Sequence, residues 1–192
     1  GFVWFQGVHD LMDTATYPTA GDDLNAHKEH TRLLACLIRD IRKDLKAPDM
    51  KVVIGQIGLN GDLTVKPDDM FVPLLKSLRT AQKAPAVMEE FKGNVSAVDT
   101  SIYWEPELEK LQARWDEYKK HVRPIERDKS LSGEEREKRI TEGRRKVYTD
   151  KEWEMITTGT SHAGYHYMGC AKIYARIGKA FAEAMGKLEA GE

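Results

Sequence analysis

The chain has little of what usually decides a class at first sight. It holds two cysteines, Cys36 and Cys170, and no Cys-x-x-Cys spacing. Two thiols make neither a disulfide framework nor a four-cysteine zinc site, so both read as packing residues. No apolar run approaches the roughly eighteen residues that cross a bilayer, so no membrane partner is expected. A dominant charge is missing too: 30 Lys and Arg stand against 31 Asp and Glu, a net charge of −1. A basic nucleic-acid face and a polybasic lipid clamp are both disfavoured, and no nucleic-acid partner is expected.

Catalytic and cofactor motifs are equally scarce. There is no Gly-x-Ser-x-Gly elbow, no phosphate loop ending in Gly-Lys-Ser/Thr, and no Gly-x-Gly-x-x-Gly. Gly55-Gln-Ile-Gly58 and Gly58-Leu-Asn-Gly61 follow a strand, but no matching helix opens after them. No cofactor is expected. None of the serines (Ser77, Ser96, Ser101, Ser130, Ser132, Ser161) sits at an evident strand-to-helix elbow.

What remains is patterned. Phe2 to Phe5 reads as a strand buried on both faces. A buried strand at residue two places the start of the chain in mid-core, so a longer protein, with a preceding segment in cis or an oligomer partner, is expected. Turn residues follow at Asp10, Asp13, Thr14, Tyr17-Pro18 and Gly21-Asp22. A helix is expected from Asp23 to Leu45, with Leu34, Leu37, Ile38, Ile41 and Leu45 on one face and Pro48 closing it. Lys51 to Ile57 is a β-branched strand. Asp68-Asp69 can cap a helix running to about Met88, with Leu74, Leu75, Leu78 and Ala81 inward and Pro85 near its end. Asn94 to Asp99 is the third strand. The order β-α-β-α-β argues for a parallel α/β sheet, which carries function in the loops at the carboxyl ends of its strands. Those loops are Gln6 to Asp13, Gly58 to Asp62 and Asp99 to Trp104.

From Glu105 to Lys151 more than half of the residues are charged, with signs mixed. Leu108, Leu111, Trp115 and Tyr118 give a modest helical stripe, and Ser132-x-x-Glu135 looks like a capping box. A solvated helical insertion is expected, with a lid or a partner surface as the alternative. The domain assignment is therefore 1–104 with 150–192 as an α/β domain incomplete at its N-terminus, and 105–149 as a charged helical insertion. A closing helix carries Ile173, Ile177, Phe181, Ala184 and Leu188 on one face.

The histidines are the candidate chemistry. His27-x-x-His30 reads as two polar residues on the wet side of a helix. His162-x-x-x-His166 has the i, i+4 spacing, but Gly164 argues against the helix that would align the two rings. No metal site is expected. His166, just before the closing helix, is a candidate general base, and His9 beside Asp10 belongs to another rim loop.

Gly1-Phe-Val-Trp-Phe-Gln-Gly-Val-His-Asp10 resembles the W-Y-Q-G-E-S-N/D segment of the sialate O-acetylesterase-like branch of the SGNH/GDSL hydrolases. Leu78-Arg-Thr-Ala-Gln82 resembles that family's L-R-x-A-Q helix, and Phe91 to Asp99 its next strand. Tyr165-His-Tyr-Met-Gly169, with Ile173 to Met185, resembles its catalytic-histidine loop and closing helix. The resemblance implies a partial flavodoxin-like sheet and a serine esterase removing O-acetyl groups from carbohydrate. It implies His166 as the catalytic histidine, Gln6, Gly7, His9 and Asp10 as the oxyanion or substrate-side loop, and the nucleophilic serine upstream of this chain. By the same analogy the setting is extracellular or periplasmic. The sequence departs from the pattern where the serine motif is absent, where His9 replaces the expected Asn, and where Ala163 stands at the position of the acid. Those departures motivate the alternative, a non-catalytic carbohydrate-binding or scaffold domain.

Overall fold

A computed structural model describes residues 1–17 and 24–191. Pro18, the Gly21-Asp22 turn and the expected helix start at Asp23 lie outside the described residues. The chain divides into two compact units: Gly1–Trp104 with Tyr174 onward, and Glu105–Ile173.

The first unit is α/β, built on a three-stranded parallel sheet in the order β1-β2-β3. β1 is Phe2–Trp4, β2 Val52–Gln56 and β3 Val95–Asp99. Phe2 to Trp4 pair with Val52 to Ile54, and Val52 to Gln56 pair with Val95 to Asp99. All five residues of β2 are buried. That is why Val52 to Ile54 is an apolar run: a central parallel strand is covered on both faces. The expected burial of β1 on both faces is what the structure changes. β1 is an edge strand, and Val3 is 44% exposed rather than buried.

The 3.6-residue stripe on α2 (Lys28–Asp44) sets one face of the sheet. Leu34, Ala35 and Ile38 pack with Val52, Ile54, Phe91 and Val95. Leu45, expected inward, lies just past the helix end and is exposed. α3 (Val72–Lys83) buries Leu75, Leu78 and Ala81. It stops short of Met88 because Pro85 lacks an amide hydrogen, and the chain continues as short 3₁₀ turns at Ala84–Val87 and Glu89–Phe91. The opposite face takes α8 (Ala171–Ala190), whose Phe181 ring meets Phe5 edge-on at 5.3 Å. Gly55 makes that contact possible, since a Cβ there would lie 2.5 Å from Phe5 and 2.6 Å from Phe181. A short helix, α1 (Val8–Met12), follows β1 directly.

The second unit is helical: α4 (Pro106–Ala113), α5 (Trp115–Arg127), α6 (Gly133–Arg145) and α7 (Asp150–Gly159). Its core is aromatic. Trp115 stacks parallel to Trp153 at 6.1 Å, with Tyr118 and Tyr148 beside them. Arg114 lies 4.8 Å over the Tyr148 ring and pairs with Glu152 at 2.7 Å, so a cation closes this cluster from the side. Ser132 caps α6 by accepting the Glu135 amide, but the reciprocal box forms at Thr149 and Glu152 instead, where each side chain meets the other's backbone N–H. Glu135 is drawn off by Arg139 at 2.7 Å.

Candidate functional site

In the first unit the site residues collect where β1 ends. Gln6 donates through Nε2 to Asp10 Oδ2 at 2.8 Å, and the Tyr17 hydroxyl donates to Oδ1 at 3.2 Å. His30 Nδ1 approaches the same Oδ1 at 3.3 Å. Three side chains thus converge on one half-buried carboxylate. Burial alone raises the Asp10 carboxyl, but the Gln6 bond, the His30 charge and bond and the Tyr17 bond outweigh it and hold it below its ordinary 3.8. Tyr17 moves the other way: burial, then the Asp10 charge, pushes its phenol up to about 12. A cavity of about 240 Å³ lies against this cluster, with Trp4, Gln6, Asp10, Tyr17 and His30 in its wall. His9 is exposed and stands outside the network.

Gly7 is buried and has no room for a side chain. A Cβ would come within 2.7 Å of Gln82 Nε2 and 3.3 Å of Leu78. Gln82 needs that approach. Fully buried on α3, it donates to the Gln6 carbonyl at 2.8 Å and accepts the Ile57 amide at 2.7 Å. It therefore ties the loop after β1 to the loop after β2. Arg79, one turn earlier, donates to the carbonyls of Ile57, Leu59 and Gly61 at 2.7, 2.7 and 3.1 Å. Thr100 Oγ1 adds the third loop, donating to the Gln56 carbonyl at 2.6 Å. Arg79 and Gln82 share a helix face because they are three apart. That spacing inside Leu78–Gln82 was the one sequence signal for the clamp.

His27 and His30 correct the sequence reading. They are 0% and 5% exposed, not on a wet face. His30 lies four residues before Leu34 and eight before Ile38, on the apolar stripe itself. His27 stacks on Tyr17 at 4.9 Å, and its Nδ1 lies 2.9 Å from Ser77 Oγ. Burial pushes the His27 imidazole below its ordinary 6.5, so the neutral ring is the form the fold accepts. Sequence reasoning missed Tyr17, His27, His30, Ser77, Arg79 and Gln82 as parts of this constellation.

His166 belongs to the second unit. It sits in a 3₁₀ segment, Gly164–Gly169, that is not a regular helix. Tyr167, Met168 and Gly169 all have left-handed backbone, with φ of 51°, 60° and 60°. Two consecutive non-glycine residues there carry strain, and strain of this kind gathers at working sites. The turn is held from Ser161 and His162, whose amides both donate to the Met168 carbonyl at 2.9 and 3.0 Å. Met168 N–H in turn donates to Ala163 at 3.1 Å. The reversal brings His166 Nδ1 within 2.9 Å of His162 Nδ1. The rings meet without the helix that their spacing calls for; the left-handed turn does that work.

One Nδ1 must carry the hydrogen and the other accept it. When His166 donates, its basic lone pair is on Nε2 and His162 is its orienting group. His162 also lines a groove of about 570 Å³ within the second unit. Among the described residues no group of three or more His, Cys, Asp and Glu is placed to hold a metal. No helix among them is long and apolar enough to cross a membrane. No family model matches the sequence, and comparisons with curated proteins and with solved structures find no significant match.

Proposed function

We propose that this chain is the histidine-bearing part of a serine O-acetylesterase acting on carbohydrate, on a flavodoxin-like sheet, with the serine in a segment preceding Gly1. The observation that carries the reading is the His162–His166 contact on a strained left-handed turn. A general base needs an orienting partner on one nitrogen and a basic lone pair on the other; the His162 contact supports the first of these in the tautomer where His166 Nδ1 donates.

The chemistry runs in two halves. The serine hydroxyl gives its proton to His166 Nε2 as Oγ bonds to the acetyl carbonyl carbon. The sugar alcohol then leaves with that proton as the C–O bond breaks. Water, deprotonated by the same nitrogen, attacks the acetyl-serine and releases acetate, restoring the hydroxyl. Gln6, fixed by Asp10, and the backbone around Gly7 are the donors proposed for the oxyanion. The test is hydrolysis of an acetylated saccharide by the protein containing this chain. His166→Ala is expected to lower kcat by roughly a thousandfold or more; unchanged turnover would overturn the assignment.

A second reading has its own observation. Among the described residues, the serine hydroxyl that meets a histidine is Ser77 on His27, and both are fully buried. That pair cannot reach an ester, which favours a carbohydrate-binding or scaffold role if no serine is supplied from elsewhere.

A further inference from the structure

The groove beside His162 has a chemical bias. Thr157, Thr160 and Ser161 line it, and each hydroxyl hydrogen is already spent on the backbone. Thr157 donates to Trp153 at 2.7 Å, Thr160 to Ile156 at 2.8 Å, and Ser161 to Gly169 at 3.0 Å. What each has left to offer is a lone pair. Asp116, also in the wall, is an acceptor alone; its bond and charge pairing with Lys119 hold its carboxyl below the ordinary 3.8. Gln112 gives one amide N–H to the His162 carbonyl at 2.5 Å and keeps its oxygen and its second N–H. The backbone amides of Thr160, Ser161 and His162 are spent as well, all on carbonyls.

Trp115 supplies the apolar wall. It is the outer ring of the aromatic stack and is 37% exposed, beside these acceptors. An acceptor-lined groove with an open indole face suits a ligand that is rich in O–H donors and has an apolar C–H face. An anion brings acceptors only, to a wall made mostly of acceptors. A cation finds the Asp116 charge already paired with Lys119.

The geometry points to a subsite for a neutral saccharide in this groove, with Trp115 as the stacking platform and Asp116, Thr157 and Thr160 as hydroxyl acceptors. As the substrate subsite of an esterase it rests on the function proposed above; as a binding site it does not. The test is titration of the 192-residue chain with cellobiose and xylobiose, with N-acetylneuraminate and choline as acidic and cationic comparisons. Tryptophan emission and the histidine proton resonances are the readouts.

A neutral disaccharide is expected to bind at millimolar concentration and to shift both readouts. Trp115→Ala should weaken it about tenfold or more, and Asp116→Asn about threefold. The inference is overturned by tighter binding of N-acetylneuraminate or choline. It is equally overturned by absence of neutral binding to the folded chain, or by Trp115→Ala affinity within twofold. Should Trp115→Ala fail to fold by circular dichroism, the exposed Asp116→Asn decides: unchanged affinity there sinks the subsite. Saccharide binding without ester turnover leaves the subsite standing and removes the esterase. Turnover with KM untouched by either variant does the reverse.

Discussion

Replacing Gln82 by Leu tests whether one side chain holds the loops of the first unit together. Leucine has a similar volume but offers no polar atom. The Ile57 amide, on a residue 3% exposed, then loses its 2.7 Å partner in a place without water. An unpaired buried donor costs about 1–3 kcal/mol, and the lost bond to the Gln6 carbonyl adds about 1 kcal/mol, since that carbonyl is partly wet. Apolar burial of leucine returns a part, leaving a net loss of about 2–3 kcal/mol. The assay is amide hydrogen exchange at Ile57 under native conditions, with urea unfolding alongside. Exchange is expected to speed up roughly 30- to 150-fold, each 1.4 kcal/mol being tenfold. Thr80→Ala on the same helix, which removes an exposed hydroxyl bonded to Lys76, should stay within about 0.5 kcal/mol of the parent. Ile57 exchange within threefold of the parent in Gln82→Leu would refute the clamp.

The remaining predictions concern the histidines and the left-handed turn. The folded-state value of His27 is depressed, so its contribution to stability is complete above its unfolded 6.5 and is lost as pH falls through the lower folded value. Asp10, also depressed, adds a second loss below its unfolded 3.8. Urea midpoints should fall with acid in two stages, and His27→Gln should flatten the first; a parent midpoint that is level between about pH 7 and 5 contradicts the burial argument. Gly169→Ala puts a Cβ 2.2 Å from Ser161 Oγ and 2.8 Å from the His162 amide at φ +60°, so thermal unfolding should show a loss of about 1–3 kcal/mol. His162→Ala should lower ester turnover, and His162→Asp should recover it at least in part; equal turnover in all three proteins removes His162 as the orienting group.

The sheet was legible because its signals are local. Val52 to Gln56 is apolar at every step but Gly55 and Gln56, and the α2 stripe repeats at helical spacing; each pattern names its own burial. The exposure of Val3 on β1 was not legible, since Phe2 to Phe5 reads the same at an edge as in mid-sheet. The site divides in the same way. Gln6 and Asp10 are four residues apart on one short stretch, and their bond follows from that spacing. His30, Tyr17 and Gln82 reach the same place from 20, 7 and 76 residues away. Only the packing of α2 and α3 brings them there. Treating histidine as a wet residue hid His27 and His30 from the core, although both continue the spacing of Leu34 and Ile38.

The two histidine pairs show why spacing alone decides so little. At i, i+3 where α2 begins, His27 at the N-cap and His30 in the first turn part company, one going to Ser77 and the other to Asp10. At i, i+4 on an irregular turn, His162 and His166 meet. The difference lies in the three left-handed residues that follow His166, and such a run is not readable from Tyr-Met-Gly. The substitution has an electrostatic consequence. Two unit charges about 4 Å apart are worth about 4 kcal/mol at an effective dielectric near 20, and a neutral imidazole beside His166 supplies a dipole in place of one of them. His162 therefore holds the ring as a carboxylate would, but its Nδ1 can donate as well as accept, so it fixes the tautomer less firmly and stabilises the imidazolium less. On the esterase reading the arrangement keeps the geometry of a triad while giving up much of its charge, and that is why an aspartate at 162, and not merely any acceptor, is the substitution that separates orientation from electrostatics.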